Sequence, residues 1–534
     1  VPVIDGNMQD FPLTLDRFLL HAAKWHPRSE IVTADPDGTR DRAGYAEVER
    51  RARCVSGLLA GLGVTVGDRI ATLAWNSRAH VEAWYAIMGI GAACHTLNPR
   101  LTAGQLATMI GQSGARILIV SADLVPLARD IAAQVPSVER LLVIDGPIPP
   151  ASPGGIAVQA LDTLLADSRV AVAAWGQFDE RTPSGLCFTS GTTGAPKGVT
   201  YTHRSSFLHT LRMLQADVMA ITRSDVVLAA VPMFHANAWG LPFAVPAVGG
   251  TLVLPGRVID GANLARLIRE EAVTIAVGVP TVWLGLLEHL DLTGEDVPEL
   301  RRIIVGGAPM APGLMERLER RMGVTVQTSW GMTELSPSGT FAIPGDPARS
   351  AAAAGRPAIG VDLTLTDAAG TPLPEQRNRE GHLRVRGAAV VERYFGHDGT
   401  ATDATGWFPT GDLARIDDDG NLFITGRVKD LIKSGGEWIN PAEIEGVVSG
   451  LPEVSLAAVI ARSDVKWGER PVLVVEFREG EDMSDEALLA ALRGRVASWW
   501  IPDTVVRLPA MPLAPTGKID KLRLRHDHGD APLA

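Results

Sequence analysis

The chain has 534 residues, 46% hydrophobic and 21% charged, the composition of an ordinary soluble globular protein with material for several layers of core. Length alone predicts roughly three to four structural units. A formal net charge of −11 argues against nucleic acid as the main partner, since a phosphate backbone is bound by clustered Lys and Arg, so any phosphate ligand is expected to be small and locally held. Cys54, Cys94 and Cys187 are widely spaced in apolar surroundings, with neither metal-ligand spacing nor a disulfide framework. Buried free thiols in a reducing, cytoplasmic compartment are therefore expected. No charged region followed by an apolar run opens the sequence, so a secretory signal is not expected. The longest uncharged run, 236–256, is interrupted by Pro242, Pro246, Pro255 and four glycines, and reads as buried strands and turns rather than a membrane span.

In chain order, Leu15, Phe18, Leu19 and Ala22 recur at helical spacing, and 69–75 reads as a buried strand ending at the turn residue Asn76. Residues 81–90 read as an apolar helix. Thr102 and Gln105 have the spacing of a capping box opening the next helix, and 116–120 is the strand beyond it. Further strands are predicted at 226–231, 251–254, 274–277, 302–305 and 324–327, with a helix over 263–271. Strands alternating with helices imply a layered α/β body whose ligands bind beyond the strand C-termini. The loops there are Pro232 to His235, Gly306 to Pro309, and Ser329, Trp330 and Gly331. From Gly355 shorter strands (362–367 and 381–386) and turn signals at Gly370 and Gly420 suggest a β-rich subdomain. A charged connector, 427–430, leads to a small α/β unit. Its first helix has Asn440 as N-cap, Pro441 at the first position and Glu443 completing a capping box; strands at 454–460 and 472–477 and a helix from Ser484 follow.

Between two apolar runs lie Thr189, Ser190, Gly191, Thr192, Thr193, Gly194, Ala195, Pro196, Lys197 and Gly198. Hydroxyls, glycines and one lysine suit a polyphosphate cradle. A Walker A loop needs a hydroxyl residue straight after the lysine, and Gly198 stands there instead. Taken alone, the stretch also fits a surface linker, as Asp412 fits a turn-forming residue and Trp330 a core aromatic.

Together these segments resemble the adenylate-forming enzymes: acyl-CoA synthetases, peptide-synthetase adenylation domains and firefly luciferase. The resemblance runs end to end and is strongest to the branch with medium-chain fatty acyl-CoA synthetases and 3-(methylthio)propionyl-CoA ligase. It implies ATP, Mg²⁺ and CoA as co-substrates and cofactor, and a carboxylic acid activated through an acyl-adenylate. For ATP or AMP it implies residues 189–194 and Lys197, Gly307 and Ala308, and Ser329, Trp330, Gly331, Met332 and Thr333, with Trp330 stacking on adenine and Thr333 at the α-phosphate. Asp412 and Arg427 would meet the ribose, and Glu334 would hold the metal.

By the same resemblance Lys518 is the catalytic lysine of the first half-reaction. His235 lines the thiol's passage, Lys429 is a hinge, and Lys433, Ser434, Gly435, Gly436 and Glu437 form a face presented to CoA after rotation. Phe234, His235, Trp239, Gly306 and Gly307 would line the acyl pocket, with Trp239 capping it in favour of short, medium or aryl acids. Two segments depart from the branch: the loop from Gly306 to Met310 is more compact, and Asn440 and Pro441 replace a small polar pair. The domains implied are 1–426 for adenylation, with the β-rich part about 355–426, then a hinge at 427–430 and a mobile 431–534. The nearest rival hands the acyl group to a carrier-protein thiol, an amine or nitrite; another class is a nucleotide-binding protein without turnover. No membrane span is expected, and a homodimer is left open.

Overall fold

Short apolar runs separated by helices fold here as parallel strands, because a crossover helix returns the chain to the same edge of a sheet. The computed structural model describes residues 7–34, 38–149, 156–166, 171–189, 196–434, 437–514 and 517–529. Among them, Glu30–Ala34, Thr251–Leu254, Val226–Ala229, Ile275–Gly278, Arg302–Val305 and Thr325–Gly331 lie side by side in parallel. Antiparallel strands close both edges, giving nine strands in all. Val227, Leu228, Ile303 and Ile304 are fully buried, as expected of a sheet covered on both faces.

A second sheet of seven strands carries Arg69–Leu73, Ala93–Thr96 and Pro183–Thr189 in parallel, the last turning back as an antiparallel hairpin with Lys197–Thr202. The core between the large sheets includes Trp84 and Phe243, stacked at 6.0 Å between centroids, with Tyr85 edge-on to Phe243. Val361–Thr366, Glu380–Gly387, Phe408–Ile416 and Leu422–Arg427 form an antiparallel sheet of four strands. The last sheet, of five strands, is built from Ile432–Ser434, Glu437–Ile439, Val454–Asp464, Gly468–Phe477 and Thr504–Arg507.

Three expectations are corrected. The run 236–256 contains a helix, Leu241–Val248, besides the strand Thr251–Leu254. Pro242 sits in its first turn, where a missing N–H costs nothing. Pro246 leaves the carbonyl of Pro242 without its helical donor, and the Tyr85 hydroxyl fills that place at 2.9 Å. Ser329, Trp330 and Gly331 are not a loop: Thr325–Gly331 pairs in parallel as far as Thr328, then antiparallel with Ser338–Phe341. A change of partner, not an end of the strand, occurs there.

The third correction concerns Asn440. It does cap Pro441–Val448, but Oδ1 accepts from Ala442 N at 3.2 Å and no box with Glu443 forms. Its Nδ2 donates instead to Thr425 O at 2.6 Å, and Gly426 lies so close that a Cβ there would be 2.7 Å from Oδ1. The capping box at Thr102 and Gln105 is present. Cys94 and Cys187 are buried free thiols and Cys54 is partly exposed. Among the described residues no helix is long and apolar enough to cross a membrane.

Asn76 joins the two large sheets. Its Nδ2 donates to Ala229 O at 3.0 Å and Val231 O at 2.8 Å, and its Oδ1 accepts from Met233 N at 2.7 Å. At 4% exposure, water cannot replace these bonds. Asn76→Ala is therefore expected to destabilise the protein by about 2 to 4 kcal/mol, read as a lower urea midpoint at unchanged slope.

Candidate active site

Parallel strands deliver their loops to one end of the nine-stranded sheet, and Asn76 holds the first of these, Pro232 to His235, in place. The chain then makes a left-handed turn. Ala236, Asn237, Ala238 and Trp239 have φ of 44°, 54°, 46° and 53° before Gly240 at 79°. Each such non-glycine residue costs about 1 to 2 kcal/mol, so the packing around it must over-determine the conformation. Trp239, 7% exposed, supplies part of that packing. Its ring lies against the two glycines after Arg302–Val305: a Cβ on Gly306 would be 3.0 Å from Cη2, and one on Gly307 3.7 Å from Cζ2. The same Cβ on Gly306 would strike Ser329 Oγ at 2.5 Å. Only glycine lets Trp239, Gly306 and Ser329 meet.

Trp330 and Asp412 are brought together from different sheets. Trp330 Nε1 donates to Asp412 Oδ2 at 2.9 Å, and Arg427 Nε pairs with Asp412 Oδ1 at 3.0 Å. Both carboxylate oxygens are thus fixed in a group 2% exposed. Trp330 is itself buried, its ring within contact of Gly339. Glu334, 8% exposed, accepts from the Tyr394 hydroxyl at 2.9 Å. Tyr394 in turn lies under Lys197, whose Nζ is 4.9 Å from the ring centroid. The neighbouring Phe395 N donates to Gly198 O at 2.8 Å, and a Cβ on Gly198 would meet Phe395 Cβ at 2.9 Å. Tyr201 donates to Thr333 O at 2.9 Å. The strand Lys197–Thr202 and the Glu334 segment are therefore strapped together, beside a cleft of about 450 Å³ that Lys197, Tyr394 and Phe408 help to line.

Lys518 arrives from the far end of the chain. Leu513 bridges to Ile519, and Ala514 N donates to Lys518 O at 2.6 Å, bringing the two ends of the loop together. Thr281 Oγ1 donates to Gly517 O at 3.1 Å, docking that loop on the helix Pro280–Thr293. A Cβ on Gly307 would lie 3.5 Å from Lys518 Cε. Burial, then the charges of Arg427 and Lys429, pull the lysine down to about 8 against the opposing pull of Asp412 and Glu334. Burial and the Lys518 charge hold His235 down to about 4, so its imidazole is neutral near pH 7. Lys429, exposed at the surface, is also lowered, by partial desolvation and then by the Arg427 charge.

The remaining assignments fall elsewhere or outside the described residues. Lys433 packs over Trp438 at 5.5 Å and its N–H donates to Glu469, while Ser434 Oγ accepts from Arg470 at 3.3 Å. That hairpin, with exposed Glu437, belongs to the last sheet and is separate from the group around Lys518. Ser190, Gly191, Thr192, Thr193 and Gly194, and likewise Gly435 and Gly436, lie outside the described residues. Thr189 pairs with Lys197 at the base of the hairpin, and Ala308, Met332 and Thr333 are partly exposed beside the glycines and Glu334. Tyr394 and Thr281 were not anticipated, nor was the bond from Asn440 to Thr425; each acts through one contact with another segment, which no local pattern announces.

Among the described residues no three His, Cys, Asp or Glu side chains converge to hold a metal. A lone buried carboxylate, Glu334, fits Mg²⁺ that arrives with phosphate oxygens and water as its other ligands.

The sequence matches the family model for the AMP-binding enzyme over residues 19–395 and that for the AMP-binding enzyme C-terminal domain over 443–518. It is 40% identical to a 3-methylmercaptopropionyl-CoA ligase of Ruegeria lacuscaerulensis, covering 98% of this chain and 99% of that one. It is 38% identical to a medium-chain-fatty-acid–CoA ligase of Ectopseudomonas oleovorans, with 98% of each covered. The fold superposes on ATP-bound MatB from Rhodopseudomonas palustris with a TM-score of 0.86 at 26% identity, over 97% of this chain and 99% of that one. The chain belongs to the AMP-binding enzyme family.

Proposed function

We propose that the chain is an ATP-dependent, AMP-forming carboxylate–CoA ligase for a short, medium-chain or aryl acid. The observation that carries this reading is the seating of Lys518 against Gly307, between the Trp239 segment and the Asp412–Arg427 pair. That is where an acid's carboxylate and a nucleotide's α-phosphate must meet. In the first half-reaction the carboxylate oxygen attacks the α-phosphorus and pyrophosphate leaves with the broken P–O bond. Lys518 offsets charge at the reacting oxygens, Lys197 the departing phosphates, and Asp412, oriented by Trp330, accepts from the ribose hydroxyls. In the second, a thiolate attacks the acyl carbon and AMP leaves; neutral His235 lines its approach. Trp239 against Gly306 shortens the acyl cavity.

The small C-terminal unit, 431–534, is proposed to turn about Lys429 between the halves, bringing Lys433 and its hairpin to the site. A cytoplasmic location belongs to the same reading. CoA is preferred over other acceptors because the curated relatives named above are CoA ligases. Assay of pyrophosphate release over short, medium and aryl acids, with and without CoA, tests it: the absence of pyrophosphate with every acid would overturn it.

Lys518→Ala is expected to lower acyl-adenylate formation by roughly a hundred- to a thousand-fold, about 3 to 4 kcal/mol, while thioester formation from a synthetic adenylate is largely spared. Equal losses in both would remove Lys518 from the first half alone. The protonated lysine is the active form, and it sits near 8 in the free protein. For the adenylation half, kcat/KM for ATP should therefore be level at lower pH and fall as pH rises through about 8. Bound phosphates favour the cation, so the corresponding limb in kcat should lie at higher pH. His235, at about 4, should add no limb between these ranges.

A further inference from the structure

The helix His203–Met213 carries a buried guanidinium with no anion beside it. Arg212 is 5% exposed; its Nη2 donates to Ser338 O at 2.7 Å and its Nε has no partner. Among the described residues it forms no ion pair, and burial lowers it to about 10 with no carboxylate opposing the shift. The partly exposed Arg51 and Arg78, by contrast, both converge on the buried Glu82. A desolvated charge without a counter-ion is costly, and among the described residues no Asp or Glu is placed to relieve it.

Its surroundings place it behind the acyl segment. One turn earlier on the same face stands His209, 1% exposed, whose Nε2 accepts from Ser338 N at 3.3 Å. The His209 ring lies where a Cβ on Gly240, the residue after Trp239, would be 3.1 Å from Cε1 and Nδ1. Ser338 pairs across the sheet with Gly331 of the nucleotide strand. A turn earlier again, Ser206 is 4% exposed with an unpartnered Oγ. Ser206, His209 and Arg212 thus form a polar stripe at three-residue spacing, next to Gly240 and Ser338.

We propose that Arg212, with Ser206 and His209 beside it, receives a second carboxylate at the far end of the acid, so that the activated substrate is a short α,ω-dicarboxylate. This rests on the reading of the chain as a carboxylate–CoA ligase. The distal carboxylate supplies the missing anion, and two hydrogen bonds from the guanidinium fix it. A plain alkyl chain would leave Arg212 and Ser206 desolvated against methylenes, and a site built around polar partners discriminates strongly against an analogue lacking them.

The experiment is acid-dependent ATP–pyrophosphate exchange by the full chain, comparing linear monoacids with dicarboxylates of the same length, from about four to about eight carbons. At the best length the dicarboxylate is expected to exceed its monoacid in kcat/KM by at least about 100-fold. Arg212→Met should abolish that preference and Arg212→Lys should restore part of it. A monoacid equal to or better than its dicarboxylate with the unaltered protein overturns the proposal, whether or not the variants fold. Exchange with monoacids alone leaves the ligase reading standing, whereas no exchange with any acid overturns both.

Discussion

Three cations and two carboxylates share the volume in which Lys518 is seated: Lys518, Arg427 and Lys429 against Asp412 and Glu334. The rest of the structure depends on that imbalance. Burial, and then repulsion from the neighbouring cations, lowers both Lys518 and Lys429. A nucleotide's phosphates would reverse the balance around Lys518 while the C-terminal loop stays docked on Thr281. Loss of pyrophosphate restores part of the repulsion. That is the electrostatic reason for the proposed rotation to follow the first half-reaction rather than precede it.

Such a site needs rigid walls. Asp412 has one oxygen on an indole N–H and the other on a guanidinium, so its carboxylate is held in one orientation. The left-handed turn at 236–239 is held by Trp239 packed on two glycines, and the loop before it by Asn76 from the other sheet. Strain on one side of the cleft is thus offset by close packing from three separate chain segments.

The layered fold was legible because four- and five-residue apolar runs with helices between them admit few other arrangements; Arg302–Val305 and Thr251–Leu254 fall where their apolar runs end. The candidate site was legible where several residues of one role stand together, as in the Lys197, Glu334, Asp412 and Lys518 segments. Where the sequence misled, a contact from far away decided the outcome. The helix Leu241–Val248 contains a proline that Tyr85 makes tolerable from 157 residues away, and Asn440 gives up its box for Thr425. Thr325–Gly331 runs past its expected end because Ser338–Phe341 returns to pair with it.

Arg212 marks the same limit for specificity. The helix His203–Met213 carries Arg204, His209 and Arg212 along its length. In the fold, one face is enclosed, with Ser206, His209, Thr210 and Arg212 all buried. Residues that perform the chemistry common to a family sit in long motifs, since several groups must meet one nucleotide. A residue that selects one acid among many needs only to face the far end of a cavity, and a single side chain does this without altering any motif. Function at the level of reaction class is therefore carried by clusters along the chain, and substrate choice by isolated residues whose meaning depends on burial. An unpaired charge is the physical sign by which such a residue can be recognised, because burial without a partner is a cost that folding alone gives no reason to bear.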